Sequence, residues 1–281
     1  MIWILLSILM CAAFGHTMRH AQHCGRNMPW VGAWNYIIAA GVSWTIWIVQ
    51  GEGQPPLTSF ALNMGTIAGV CLVTAYFLMV PCIRIAGVGI TQAIAQLSVI
   101  IPIIASIFIW RETPGMVRAV GLGLVLVAVP LLGYGRAVRY DSGERSKFWL
   151  LLVFFVVEGI TGLTMKAYSQ RAPGQEIAYM CFMFSVPALI NLIAAIRMAP
   201  PDRRDLAHGT ILGLINAFAG FTFLRALERA PGIVVFPTIS IGSILVASLL
   251  AMVLWDERYR GKVLWGMAVA VIALILINAA H

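Results

Sequence analysis

The chain has 281 residues, of which 60% are hydrophobic and only 11% are charged, whereas a soluble domain carries about 25% charged residues. This composition excludes a water-soluble globular protein, because there is too little polar surface to cover the fold. The net charge is +8, and the basic residues lie in short segments between apolar runs. They are placed to set orientation and to meet lipid headgroups, which excludes a nucleic-acid partner.

Apolar runs follow one another along the whole chain, separated by segments rich in proline and glycine. A transmembrane helix needs about 20 such residues. The sequence therefore predicts an all-α integral membrane protein of the cell membrane, or of the inner membrane in a Gram-negative cell. The first run has no basic residue before Arg19, which favours a retained helix over a signal peptide. The predicted helices are 2–18, 30–49, 58–80, 88–109, 115–134, 147–168, 176–197, 207–227, 233–254 and 262–280.

The second half of the chain repeats features of the first at a nearly constant offset. A shift of 147 residues aligns the Gly-x-Thr-Met-basic ends of helices 1 and 6. A shift of 145 aligns helices 4–5 with helices 9–10 without gaps, and a shift of 144 aligns two Gly-x-x-x-Gly pairs. Several matches in the same order indicate duplication. The matched pairs include Arg84 and Arg229, Ser98 and Ser243, Trp110 and Trp255, Glu112 and Glu257, Gly121 and Gly266, Gly65 and Gly209, and Gly69 and Gly213.

An odd number of helices in each repeat has a consequence for topology. Two five-helix repeats, 1–140 and 141–281, must enter the membrane in opposite orientations. Inverted repeats are typical of secondary transporters, whose two halves exchange conformations to alternate access. The loops on one side hold most of the lysines and arginines, so the positive-inside rule predicts that both termini lie outside.

With this repeat, the chain resembles EamA-type permeases of the drug/metabolite transporter superfamily. The resembling motifs are Trp110-Arg-Glu112 and Trp255-Asp-Glu257, each followed by a short break and a glycine-rich helix, together with the ends of helices 1 and 6. The resemblance covers essentially the whole chain. It implies a five-plus-five inverted bundle with a central cavity that carries small organic solutes, and we predict export.

Glu158 lies near the middle of predicted helix 6 and is the one carboxylate deep in a predicted span. An ionised carboxylate facing lipid costs several kcal/mol, so such a group usually faces a cavity or a partner. The repeat places Cys11 at the equivalent position, so the duplicated scaffold does not require the carboxylate. We predict a cation-binding or proton-coupling role, with Thr161 on the same helical face; a protonated structural glutamate is the alternative.

Other polar and aromatic residues within the spans are candidates for lining a cavity, although lipid-facing or interhelical packing is equally consistent with the pattern. These candidates are Trp34, Tyr36, Trp44, Gln92, Gln96, Tyr179 and Asn216.

His16, His20, His23 and Cys24 have the spacing of metal ligands if helix 1 extends to residue 24. Because Arg19 and Arg26 lie in the same segment and would repel a cation, interfacial histidines are the preferred interpretation. We therefore predict no metal site and no cofactor.

The sequence contains no nucleophile elbow, P-loop or paired acidic dyad within a span. We predict a non-enzymatic, secondary-active transporter of metabolites or xenobiotics, a monomer or homodimer whose partners are its solute and the bilayer. The alternatives are a flippase for lipid-linked sugars or lipids and an integral membrane enzyme. Glu112 and Glu257 at the ends of helices 4 and 9 are interpreted as salt-bridge or gate residues.

Overall fold

The computed structural model describes residues 1–50, 58–133, 149–254 and 261–279, without the side chains of residues 84, 85, 87–90, 92, 93, 130, 132, 133, 262 and 279. These residues form ten helices and no strand. The prediction of an all-helical chain is thereby confirmed. The helices are α1 (Ile2–His23), α2 (Met28–Gln50), α3 (Ser59–Leu97), α4 (Ile100–Phe108), α5 (Met116–Gly133), α6 (Trp149–Arg171), α7 (Glu176–Ala195), α8 (Arg203–Arg229), α9 (Gly232–Leu254) and α10 (Lys262–Ala279).

Seven helical segments in the described ranges are long and apolar enough to cross a membrane. They belong to α1, α2, the first part of α3, α6, α7, α8 and α9. Three shorter apolar segments are Ile94–Phe108, which contains the end of α3 and all of α4, Met116–Val129 and Val263–Asn278. The chain is therefore a multi-pass helical membrane protein.

Helix α3 continues through the region where the sequence predicts a break, between residues 80 and 88. The repeat offers a physical reason. In the second half, Pro231 follows α8 and α9 begins at Gly232, because a proline disfavours helical geometry in the residue before it. The first half has Ala86 at the equivalent position, and alanine continues a helix. Pro81 lies within α3 without ending it.

The break in the first half comes later, at Ser98–Val99, and the predicted helix 88–109 is thus divided between α3 and α4. Pro102 explains this position, because its ring would clash with the carbonyl of Ser98 four residues earlier. The repeat counterpart of Pro102 is Ala247, and α9 runs unbroken from Gly232 to Leu254.

The chain folds into two compact units, and each contains helices from both halves of the sequence. Unit 1 comprises Met1–Val73 and Thr164–Arg229; unit 2 comprises Thr74–Leu163 and Ala230–His281. The spatial units therefore differ from the predicted repeats 1–140 and 141–281, which remain a prediction about sequence duplication.

Within unit 1, the two Gly-x-x-x-Gly pairs make equivalent close contacts. A Cβ on Gly65 of α3 would collide with the Tyr179 carbonyl of α7, and one on Gly209 of α8 would lie 2.7 Å from the Trp34 Cβ of α2. Tyr179 and Trp34 are themselves 145 residues apart, the offset of the repeat. Glycines that allow backbones to approach closely are typical of membrane helix interfaces. The α3–α7 and α8–α2 interfaces are thus reciprocal: in each, a glycine-bearing helix from one half of the sequence packs against a helix from the other half.

In unit 2, Glu112 stabilises the start of α9. Its two carboxylate oxygens accept hydrogen bonds from the backbone N–H groups of Gly232 and Ile233, at 3.1 and 3.0 Å. These are orphan donors of a helix N-terminus, where negative charge is favoured. Glu112 therefore acts as a helix cap contributed by the α4–α5 connection. Its repeat counterpart Glu257 lies outside the described residues.

Candidate functional site

Glu158 lies on the inward face of α6 in unit 2. Phe154, four residues earlier, belongs to a buried cluster with Cys82 and Ala86 of α3. Gly162, four residues later, faces Pro102 of α4 and Phe236 of α9. Because residues four apart lie on one helical face, Glu158 lies between these two packing surfaces.

The opposite face of α6 is open to the surroundings of the unit. Leu152 and Val156 are 64% and 39% exposed, whereas Leu151 and Phe154 are 7% and 1% exposed. Glu158 itself is half-buried. Among the residues described by the structure, none hydrogen-bonds or forms an ion pair with its carboxylate.

Thr161 is buried, and its hydroxyl donates to the Val157 carbonyl at 3.1 Å, one turn back along α6. Its neighbour Gly162 leaves room for the ring of Pro102, which would lie 3.0 Å from an added Cβ. This tight contact between α6 and α4, beside Thr161, sets the position along the helix axis at which the Glu158 face of α6 packs near α4.

Gln92 and Gln96 of α3 were both predicted to line a cavity. The structure describes the side chain of Gln96, whereas that of Gln92 lies outside the described residues. The Gln96 carbonyl accepts a hydrogen bond from the Ser240 hydroxyl of α9 at 2.5 Å. Nearby in sequence, Ser98 donates to the Ala95 carbonyl and its repeat counterpart Ser243 donates to the Ser240 carbonyl, each three residues back. Gln96 thus joins α3 to α9 in unit 2.

The aromatic candidates of α2 lie in unit 1, and the structure shows what their polar atoms do. The Trp34 indole donates to the Thr210 hydroxyl of α8, and the Trp44 indole donates to the Ser185 hydroxyl of α7, both at 3.0 Å. The Tyr36 ring lies 6.5 Å from that of Phe184 on α7. These side chains therefore contact neighbouring helices of their own unit.

Tyr179 and Asn216 also make contacts within unit 1. Tyr179 is fully buried, and its hydroxyl shares a hydrogen bond of 3.0 Å with that of Thr164. The Asn216 amide donates to the Asn35 side-chain carbonyl of α2 at 3.3 Å. Asn35 is buried, so this pair satisfies polar atoms at the α2–α8 interface.

A charged network in unit 1 was missed by the sequence analysis. Arg225 of α8 forms ion pairs with Glu176 at the start of α7 and with Glu228, the latter at 3.3 Å. The Tyr168 hydroxyl of α6 donates to Glu228 at 2.9 Å, as does the Gly174 backbone N–H. Arg225 falls inside the predicted span 207–227, and a cation within an apolar run was the signal that could have revealed the network.

The predicted site residues are thus divided between the two units. Unit 1 holds Trp34, Tyr36, Trp44, Tyr179 and Asn216, whereas unit 2 holds Glu158, Thr161 and Gln96. Helices α3, α4, α6 and α9 pack together in unit 2, and this packing contains Glu158, Thr161 and Gln96.

The helical, multi-pass fold defines a membrane protein, and its two Gly-x-x-x-Gly pairs make equivalent contacts. The model of the EamA-like transporter family matches the chain twice, over residues 1–134 and 146–279. The chain belongs to this family, which is a family of transporters.

Two individual proteins are also similar to the chain. One, described as an uncharacterized protein of Haemophilus influenzae, is 23% identical over 222 residues, which cover 78% of this chain and 73% of that protein. The other is a protein crystal structure with a TM-score of 0.74 and 14% sequence identity, covering 99% of this chain and 96% of that one. The structural match shows a shared fold.

Proposed function

We propose that this protein is a secondary-active transporter of small organic metabolites or xenobiotics in the cell membrane, with Glu158 as its coupling carboxylate. The observation that carries the proposal is the position of Glu158 on the inward face of α6 within a family of transporters. A carboxylate in an apolar span is costly when it is ionised, and a bound cationic group or a proton removes that cost.

The transport mechanism that we propose is alternating access of two inverted halves. The reciprocal interfaces of unit 1 support this mechanism, since α3 meets α7 in the way that α8 meets α2. If the two halves are related by inversion, exchanging their conformations converts an outward-open state into an inward-open state. Export is the direction that we propose for this cycle.

The proposed solute carries a cationic group, or it is exchanged for protons. A carboxylate can bind the solute's cationic group or a proton, but not both at once, and this competition links proton movement to solute movement. The duplicated scaffold holds Cys11 at the equivalent position. The carboxylate therefore belongs to the second half alone, as expected of a residue acquired for binding rather than for folding.

The test begins with a thermal-shift screen of purified protein against amines, amino acids, sugars and nucleosides. The solute that raises the melting temperature most is then tested with proteoliposomes that contain the protein, and its flux is measured under an imposed pH gradient. We expect gradient-driven accumulation by the wild type, which Glu158→Gln reduces to the level of passive equilibration.

Asp202→Asn is the matched control, because it also removes one carboxylate but at a position that is 59% exposed. We expect it to retain gradient-driven flux. A Glu158→Gln variant that accumulates solute as well as the wild type would disprove the coupling role.

A further inference from the structure

We infer that His20, Cys24 and His208 form a binding site for a thiophilic d¹⁰ cation such as Zn²⁺ in unit 1. His20 lies in the last turn of α1, Cys24 follows that helix directly, and His208 lies in the second turn of α8. Their ligand atoms all lie within 4.8 Å of one another. His208 is distant in sequence from the other two, so ligand spacing along the chain could not reveal it.

The distances between the donor atoms are close to those of a tetrahedral site. Zn–S and Zn–N bonds of about 2.3 and 2.1 Å place neighbouring ligand atoms about 3.5 Å apart. The Cys24 sulfur already lies 3.6 Å from His20 Nε2. The two histidine rings are stacked with centroids 5.6 Å apart. Closure on an ion therefore needs each remaining donor–donor distance to shorten by no more than about 1.3 Å.

The orientation of His208 is fixed by a second contact. Its Nδ1 lies 2.7 Å from the Arg204 backbone carbonyl. A carbonyl only accepts hydrogen bonds, so Nδ1 carries the proton and Nε2 presents its lone pair. Ligating histidines usually donate their other ring N–H in this way, and the contact sets both tautomer and ring orientation.

Carboxylates offset the charge of Arg26, one of the two arginines that the sequence suggested would repel a cation. Arg26 is paired with Asp202 at 3.3 Å and with Asp205 at 3.9 Å, so two carboxylates offset its charge. His20 and Cys24 are exposed, which gives an ion access without passage through the apolar spans. A thiolate with two imidazoles is a ligand set suited to Zn²⁺ or Cu⁺.

Binding would tie the end of α1 to the start of α8, two helices that pack against each other in unit 1. Coordination requires the Cys24 thiolate, so each ion bound releases one proton to solvent. Because the ion binds the folded chain, it raises the resistance of unit 1 to unfolding.

The experiment titrates the purified, metal-free full chain with Co²⁺ as a spectroscopic probe, followed by displacement with Zn²⁺. We expect one Co²⁺ per chain with sulfur-to-cobalt charge-transfer absorption, and a higher melting temperature with Zn²⁺. Cys24→Ser should remove the charge-transfer band, and His208→Gln should weaken Zn²⁺ binding at least about tenfold.

His23→Gln is the matched control, because it removes an adjacent histidine from outside the proposed ligand set and should bind Zn²⁺ like the wild type. A second measurement follows alkylation of Cys24 by mass spectrometry, where Zn²⁺ should protect the thiol in the wild type but not in His208→Gln. Absence of stoichiometric binding, or equal Zn²⁺ affinity and equal protection in wild type and His208→Gln, would overturn the proposal.

Discussion

Replacing Arg225 by alanine is expected to destabilise the protein by about 3 kcal/mol, the lower end of the range for breaking a buried ion pair. The reason is that Glu176 and Glu228, with side chains 3% and 9% exposed, would lose their shared cation. The Arg225 side chain is 31% exposed, so water replaces part of the interaction. The measurement is thermal unfolding in detergent, where we expect a clearly lower melting temperature.

Two further variants separate charge pairing from general damage. Arg171→Ala removes an exposed arginine that stacks on the Phe60 ring at 5.4 Å, and should cost less than about 1 kcal/mol. Adding Glu176→Gln to Arg225→Ala should restore part of the lost stability, because one unpaired carboxylate is removed. If Arg225→Ala melts like Arg171→Ala, the network does not stabilise unit 1.

Gly213→Ala is expected to destabilise the α2–α8 interface by about 1–3 kcal/mol, the usual cost of overpacking a close contact. An added Cβ would lie 2.6 Å from both the Asn35 carbonyl oxygen and the Ile38 Cβ. A backbone oxygen cannot move aside alone, so the helices must separate and strain the Asn35–Asn216 hydrogen bond. Thermal unfolding in detergent again reports the change.

The repeat supplies an internal comparison for this variant. Gly69→Ala at the α3–α7 interface should have a similar cost, since its Cβ would lie 2.8 Å from that of Val186. Gly41→Ala is the control, because no atom of another helix in the described ranges lies within 4 Å of its added Cβ, and it should be neutral or stabilising by up to about 1 kcal/mol. Equal melting temperatures for Gly213→Ala and Gly41→Ala would contradict the close-packing interpretation.

Much of the fold could be predicted because hydrophobicity, and the proline- and glycine-rich breaks between apolar runs, act locally. Long apolar runs predicted the helical, membrane-spanning character, and repeated motifs predicted a match to one family in both halves. The helix boundaries of the first half were less predictable. The predicted break between residues 80 and 88 is absent because α3 continues through Pro81, whereas Pro102 places the break at Ser98–Val99.

The candidate sites could be predicted only where one residue stands out within its own span. Glu158 was identifiable because a carboxylate is rare in an apolar run. The pairing of Arg225 with Glu176 and the convergence of His208 on Cys24 depend on which helices pack together. Periodicity does not carry that information in helices that are apolar on every side. For the same reason, the hydrogen-bond partners of Trp34 and Trp44 emerged only from the structure.

The central proposal is that the protein carries its solute by alternating access, and solute counterflow tests it most directly. Proteoliposomes loaded with excess unlabelled solute are diluted into a trace of labelled solute, with no ion gradient. We predict transient accumulation of label above its equilibrium level in the wild type, because exchange needs the moving halves but no ion gradient. Label that only approaches equilibrium, without an overshoot, would contradict a carrier mechanism.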